Sequence, residues 1–220
     1  MVTIESLRRY PSAVLLAVQL LGFVLYPLME TSPSSRALFG VFGLLVLGLA
    51  LWVVRRSPWL TWVGILLALP VVALSAICVV APRRDFLVLT AALQGVFYFY
   101  ATGSLIAYML QDWVATTDEL FAAGATFTLL AWAFAYVYVV CEAAIPGSFS
   151  SASQVPTRTW MELLYLSVMV LSSVGLSDVV PLTPMARAIV MLESFTGVMY
   201  IALVVSRLVG MTVATPKHQP

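Results

Sequence analysis

The chain has 220 residues, 62% of them apolar and 10% charged, with a net charge of +1 and a mean hydropathy of +1.02. Soluble domains are about 45–50% apolar and about 25% charged, so a soluble enzyme and a disordered tail are excluded. Near-zero charge offers no basic surface to nucleic acid. The single His (His218) and the two Cys (Cys78, Cys141, both inside apolar runs) argue against a His-based catalytic site, a zinc cage and a disulfide framework. An integral membrane protein remains.

A spanning helix needs about 20 mostly apolar residues. In chain order, spans are expected at 10–29, 37–54, 57–82 (bent at Pro70), 86–111, 120–141 and 188–206, the last interrupted only by Glu193. A signal peptide is the weaker reading of the first run, because no small-residue cleavage site closes it. The absence of an internal repeat disfavours an inverted-repeat transporter. Charge sets orientation poorly. Arg8, Arg9, Arg55, Arg56, Arg207 and Lys217 fall on one side, and Arg36, Arg83, Arg84, Arg158 and Arg187 on the other.

One run breaks the pattern. Residues 163–177 are charge-free but too few to span, and Asp178 stops them. Runs of this length read as re-entrant segments. Backbone that is not helical at membrane depth is tolerated only inside protein or beside a water-filled path. A Ser- and Gly-rich loop at 146–156 precedes this run and reads as an exposed turret. Thr159 with Glu162 forms a capping-box pattern, which predicts a helix from Trp160 to about Leu171. The C-terminal end of that helix carries negative dipole charge and favours a cation. Thr183 and Pro184 form an N-cap and N1 pair that opens the last span.

The string Ser172-Ser173-Val174-Gly175-Leu176-Ser177-Asp178 resembles the filter of tetrameric potassium channels, usually T-T-V-G-Y-G-D. Arg187 and Gly197 also fall where such channels place an outer-end Arg and an inner-helix hinge. The stretch from Cys141 to Phe149 is similar to the pre-pore helix end of bacterial six-span members. The resemblance runs from Asp118 onward, about half of the chain. It implies an all-α integral membrane fold with six transmembrane helices, a re-entrant pore helix and a filter loop, assembled as a homotetramer. Residues 1–111 would form a sensor-like domain and 112–220 the pore domain. Backbone carbonyls of Ser173, Val174, Gly175 and Leu176 would replace the water around a monovalent cation, with the Ser173 hydroxyl at the inner mouth. The implied partners are three further copies of the chain, the bilayer and monovalent cations, with no nucleic acid. No cofactor is implied beyond potassium ions in the filter. The implied location is the plasma membrane, a bacterial inner membrane with both termini cytoplasmic.

Two positions depart from the family pattern. Leu176 replaces Tyr and removes a bracing hydroxyl. Ser177 replaces the second Gly, and a positive φ there would cost about 1 kcal/mol or more. Three outcomes stay open: a distorted outer site with potassium selectivity kept, a weakly selective pore, or a subunit that does not conduct. Asp178 reads as an outer-mouth acid or as a solvated one. Tyr165 stands where the family has a Trp that bonds this Asp, so a Tyr165–Asp178 brace is expected. An intramembrane acid is expensive and functional by default. Glu193 therefore reads as filter support, bonded to a pore-helix hydroxyl such as Ser172, or as a buried structural acid.

Gly197, Ile201, Val205 and Val209 recur every four residues along roughly one side of the last span. They suggest an apolar gate hinged at Gly197; ordinary helix packing is the alternative. The run 86–111 contains no Arg, so little voltage dependence is expected. With about 11 residues after Val209, no nucleotide-binding or regulator domain is expected there. Gly175-Leu176-Ser177 faintly resembles the nucleophile motif of intramembrane serine proteases, but no membrane-embedded His is present to act as base, so an enzyme is not expected. A non-conducting assembly protein is the remaining rival.

Overall fold

The computed structural model describes residues 10–29, 33–55, 61–80, 83–111, 116–150 and 158–214; side chains at 26–29, 33–41, 79–80 and 208–214 are outside that description. The description therefore omits Arg8, Arg9, Arg56, Lys217, His218, most of the 146–156 loop and the side chains of Arg36 and Val209. The described chain forms seven helices: α1 (Pro11–Met29), α2 (Pro33–Val54), α3 (Thr61–Val80), α4 (Arg84–Met109), α5 (Thr117–Ala144), α6 (Trp160–Leu171) and α7 (Pro184–Ala214). Two two-residue strands, β1 (Phe149–Ser150) and β2 (Val180–Pro181), pair antiparallel.

Among the described residues, four segments are long and apolar enough to cross a membrane: Thr61–Cys78, Arg84–Met109, Thr117–Ala144 and Pro184–Arg207. The described apolar parts of α1 and α2, Pro11–Leu25 and Phe42–Val54, are shorter. Pro70 lies inside α3, which continues through it. α6 has 12 residues. At 1.5 Å per residue it reaches about 18 Å, well short of the roughly 30 Å hydrocarbon core.

α5 is the hub. Its first turn is capped by Thr116, whose hydroxyl accepts from the Glu119 N–H at 3.3 Å, and Asp118 and Glu119 place negative charge at the positive end of its dipole. The two acids then reach in different directions. Asp118 accepts from the Ser12 N–H (3.1 Å) and hydroxyl (2.9 Å) on α1, and from the Tyr108 hydroxyl (3.4 Å) on α4. Glu119 pairs with Arg207 of α7 at 3.1 Å, both side chains largely buried.

Small residues bring the helices close, the usual device where lipid supplies no hydrophobic drive between helices. A Cβ on Gly124 of α5 would meet Leu16 of α1 at 2.8 Å. Four residues on, the Thr128 hydroxyl donates to the buried Gln19 Oε1 at 2.7 Å. The core centres on Trp132, whose ring meets Tyr98 of α4 (5.7 Å), Phe42 of α2 (6.4 Å) and Trp160 of α6 (5.2 Å). Tyr98 and Tyr136 stack at 5.8 Å. One buried cluster thus runs from α1 through α5 to Leu164, Leu171 and Tyr200. A smaller one joins Tyr138, Cys141 and Phe149 to Leu163, Leu166, Val179 and Ala186.

Candidate functional site

The site is built on α6 and the loop that leaves it. The helix starts where the sequence places it. Thr159 caps it with its hydroxyl, accepting from the Glu162 N–H at 3.2 Å, while the Glu162 carboxylate accepts from the Thr159 N–H at 2.8 Å. Arg158 lies 3.6 Å from the same carboxylate. At the far end, α6 closes with amides folded back on its last carbonyls. The Ser172 N–H donates to Val168 O and that of Ser173 to Val170 O, both at 3.0 Å; the amides of Val174 (3.1 Å) and Gly175 (3.0 Å) share Met169 O.

This fold-back requires left-handed backbone twice, at Ser173 (φ 60°) and Gly175 (φ 69°). Gly adopts that region at little cost, whereas Ser173 bears roughly 1–2 kcal/mol of strain. The penalty considered for Ser177 is not incurred, because Ser177 has no positive φ. Ser177 instead serves the turn with its side chain, its hydroxyl accepting from the Val179 N–H at 3.1 Å.

The loop carbonyls fall into two pairs. Those of Ser173 and Val174 accept no hydrogen bond among the described residues. That of Gly175 accepts from the Ser177 N–H at 3.1 Å, and that of Leu176 from the Tyr165 hydroxyl at 2.7 Å. Tyr165 therefore reaches the loop as anticipated, but its partner is the Leu176 backbone and not Asp178. Side-chain reach explains the difference: a phenol on α6 arrives at the carbonyl two residues before the acid. Asp178 itself is exposed, as are Val174 and Leu176.

Beyond the loop, β2 is tied to the segment that follows α5. Phe149 pairs with Pro181 and Ser150 with Val180. The Leu182 N–H donates to Ser148 O at 2.8 Å, and the Thr183 hydroxyl to Ser148 Oγ at 3.1 Å. Thr183 also caps α7, accepting from the Ala186 N–H at 3.3 Å. Gly147, at φ 79°, turns the chain after α5, and the Glu142 carboxylate holds that turn through the N–H groups of Gly147 (2.9 Å) and Phe149 (3.1 Å). Arg187 donates to Pro181 O at 3.3 Å.

Behind α6 lies Glu193, fully buried. Its hydroxyl partners are Ser167 of α6 and Tyr138 of α5. Ser172, the partner expected from sequence, bonds instead to Met169 O at 3.3 Å. Ser167 and Tyr138 went unremarked in the sequence. Ser167 was findable, since it is the one small hydroxyl inside the apolar body of α6. One turn beyond Glu193, a Cβ on Gly197 would collide with the Leu171 carbonyl oxygen and lie 2.9 Å from the Leu171 C and Cα. Gly197 is thus the point where α7 crosses the end of α6.

The four-residue row on α7 diverges in space. Gly197 belongs to the packed face, while Ile201 and Val205 are exposed. Steps of four on a 3.6-residue helix drift by about 40° each, so a row that begins on one face leaves it. Among the described residues, no group of three or more His, Cys, Asp or Glu is placed to hold a metal ion.

Residues 120–214 match the sequence model of a family described as an ion channel. The matched stretch begins in α5 and ends with α7, and so takes in α6, the loop and the ladder described above. This part of the chain is therefore similar to a family of ion channels. Comparison with curated proteins and with solved structures finds no match.

Proposed function

We propose that the chain is one subunit of a homotetrameric cation channel, conducting chiefly potassium, whose ion path passes residues 173–176. One observation carries this reading: α6, too short to span, ends in a loop with left-handed residues at 173 and 175, and its Ser173 and Val174 carbonyls accept no hydrogen bond among the described residues. A cation sheds its water only against a ring of such oxygens. One chain supplies one strand of the ring, so closed symmetry requires further copies. The exposed apolar face of α7, including Phe195 and Val198, is surface that neighbouring subunits would cover. In this assembly Ile201 and Val205, with Val209 continuing the row, would form an apolar constriction that gates by dewetting.

The six-span layout is supported by the lengths of α1 (19 residues) and α2 (22 residues), added to the four longer apolar segments. Residues 1–111 would then be a sensor-like domain and 112–220 the pore. With the filter facing outward, both termini lie in the cytoplasm and the protein sits in the plasma membrane. α4 carries Arg84 only at its first position, where the guanidinium donates to Ala143 O at 3.0 Å. Conductance is accordingly expected to change little with voltage.

A weakly selective pore is the second reading, favoured by one contact. The Leu176 carbonyl, which would form the outer ring, already accepts from Tyr165. Flux into liposomes holding the purified protein tests both readings. Potassium flux well above sodium supports the first, equal flux the second, and no flux under any ionic condition would remove both in favour of a non-conducting assembly protein.

A further inference from the structure

Glu193, Ser167, Tyr138 and the Ala131 carbonyl make three contacts in series. The Tyr138 hydroxyl meets Glu193 Oε2, Ser167 Oγ meets Glu193 Oε1, and Ser167 Oγ lies 2.8 Å from Ala131 O. Three contacts need three protons. The two hydroxyls supply one each, and Ala131 O is only an acceptor. With an ionised Glu193, the single Ser167 proton would have to be divided between Glu193 Oε1 and Ala131 O, leaving one of the two contacts weakly made. The third proton has one available source, the carboxyl group itself. No cation offsets a charge there, since the ion pairs among the described residues are Arg158–Glu162 and Arg207–Glu119. A buried carboxylate without a partner is costly.

We infer that Glu193 is a hydrogen-bond donor to Ser167, completing a relay from Tyr138 through Glu193 and Ser167 to the Ala131 carbonyl that sets the position of the pore helix. The placement is specific. Ser167 and Leu171 are one turn apart on α6, and Glu193 and Gly197 are one turn apart on α7. The donor bond at one level and the close backbone crossing at the next hold α6 against α7 at two heights. The Ser167–Ala131 bond ties the same turn of α6 to α5. Glu193 is thus a positioning residue that acts on the loop at 173–176 through α6. The titratable group facing it from α5 is Tyr138, with Cys141 three residues further along; α6 presents only Ser167. On α7, Arg187 is engaged at Pro181 O.

The effect on conduction rests on the channel reading above; the proton on Glu193 does not. The test is infrared difference spectroscopy of the full chain in liposomes, wild type against Glu193→Gln, with flux measured on the same samples. Gln preserves the relay, its amide donating to Ser167 and its carbonyl accepting from Tyr138. The expected result is a protonated-carboxyl band in the wild type that is absent in Glu193→Gln and displaced in Ser167→Ala. Flux of Glu193→Gln should stay within about twofold of wild type, while Glu193→Leu should lose about tenfold or more, the size of a buried bond to an acid. A wild-type spectrum with carboxylate bands only, or a protonated band that survives in Glu193→Gln, would overturn the relay. A band in a protein with no flux would support the relay and overturn the channel reading, so the two fail separately.

Discussion

α5 and α7 are both apolar helices of the stretch that matches the ion-channel family, yet they are anchored differently. α5 is enclosed on several sides: α1 meets it at Gly124 and Thr128, α2, α4 and α6 meet it around Trp132, and α7 meets it at Ala123 through the Tyr200 hydroxyl (2.6 Å). α7 is held along one stripe. Glu193, Gly197 and Tyr200 face inward, while Leu192, Phe195, Val198 and Val205 lie exposed on other faces. The difference assigns the two helices separate tasks. α5 fixes the fold of a single chain, and α7 offers a surface to whatever surrounds it. The acidic side chains divide in the same way. At the start of α5, Asp118 and Glu119 bind backbone, hydroxyls and Arg207, whereas Glu193 within α7 binds hydroxyls alone.

Four substitutions sharpen or break this contrast. Trp132→Ala removes the central ring of α5 and should cost about 3–5 kcal/mol, read as loss of helical signal during detergent unfolding. Gly197→Ala forces a methyl into the Leu171 backbone and should cost about 1–3 kcal/mol; the same assay reads it, together with reduced flux. Tyr165→Phe deletes the bond to the Leu176 carbonyl and should cost about 0.5–1.5 kcal/mol, with a larger change in the ratio of potassium to sodium flux than in protomer stability. Phe195→Gln lies on the bare face and should alter protomer stability by no more than about 0.5 kcal/mol, while weakening assembly as read by native mass in detergent. If Phe195→Gln unfolds the protomer as readily as Trp132→Ala, the contrast between the helices is wrong.

Local features were legible in the sequence; the meeting of helices was not. Thr159 and Glu162 mark the start of α6, and Thr183 with Pro184 marks that of α7, because a cap depends on a few adjacent residues. The apolar runs locate the helices, since length and the lack of charge suffice for that. The β1–β2 ladder escaped notice, because two residues per strand leave no alternation to read. The partners of Tyr165 and Glu193 depend on the depth and rotation of α6 between its neighbours. Composition does not encode depth or rotation, so Asp178 and Ser172 were expected where Leu176 and Ser167 are found. Gly197 is buried while Ile201 and Val205 are exposed for a related reason: small drifts in helical phase decide which residues meet a neighbour.

The most direct test of the account is an electron-microscopy map of the purified protein in lipid with potassium present. The account requires four copies around an axis, the loop at 173–176 of each copy facing that axis, and ion density beside the Ser173 and Val174 carbonyls. A monomer, or an assembly whose axis passes elsewhere and whose loop faces lipid, would contradict it.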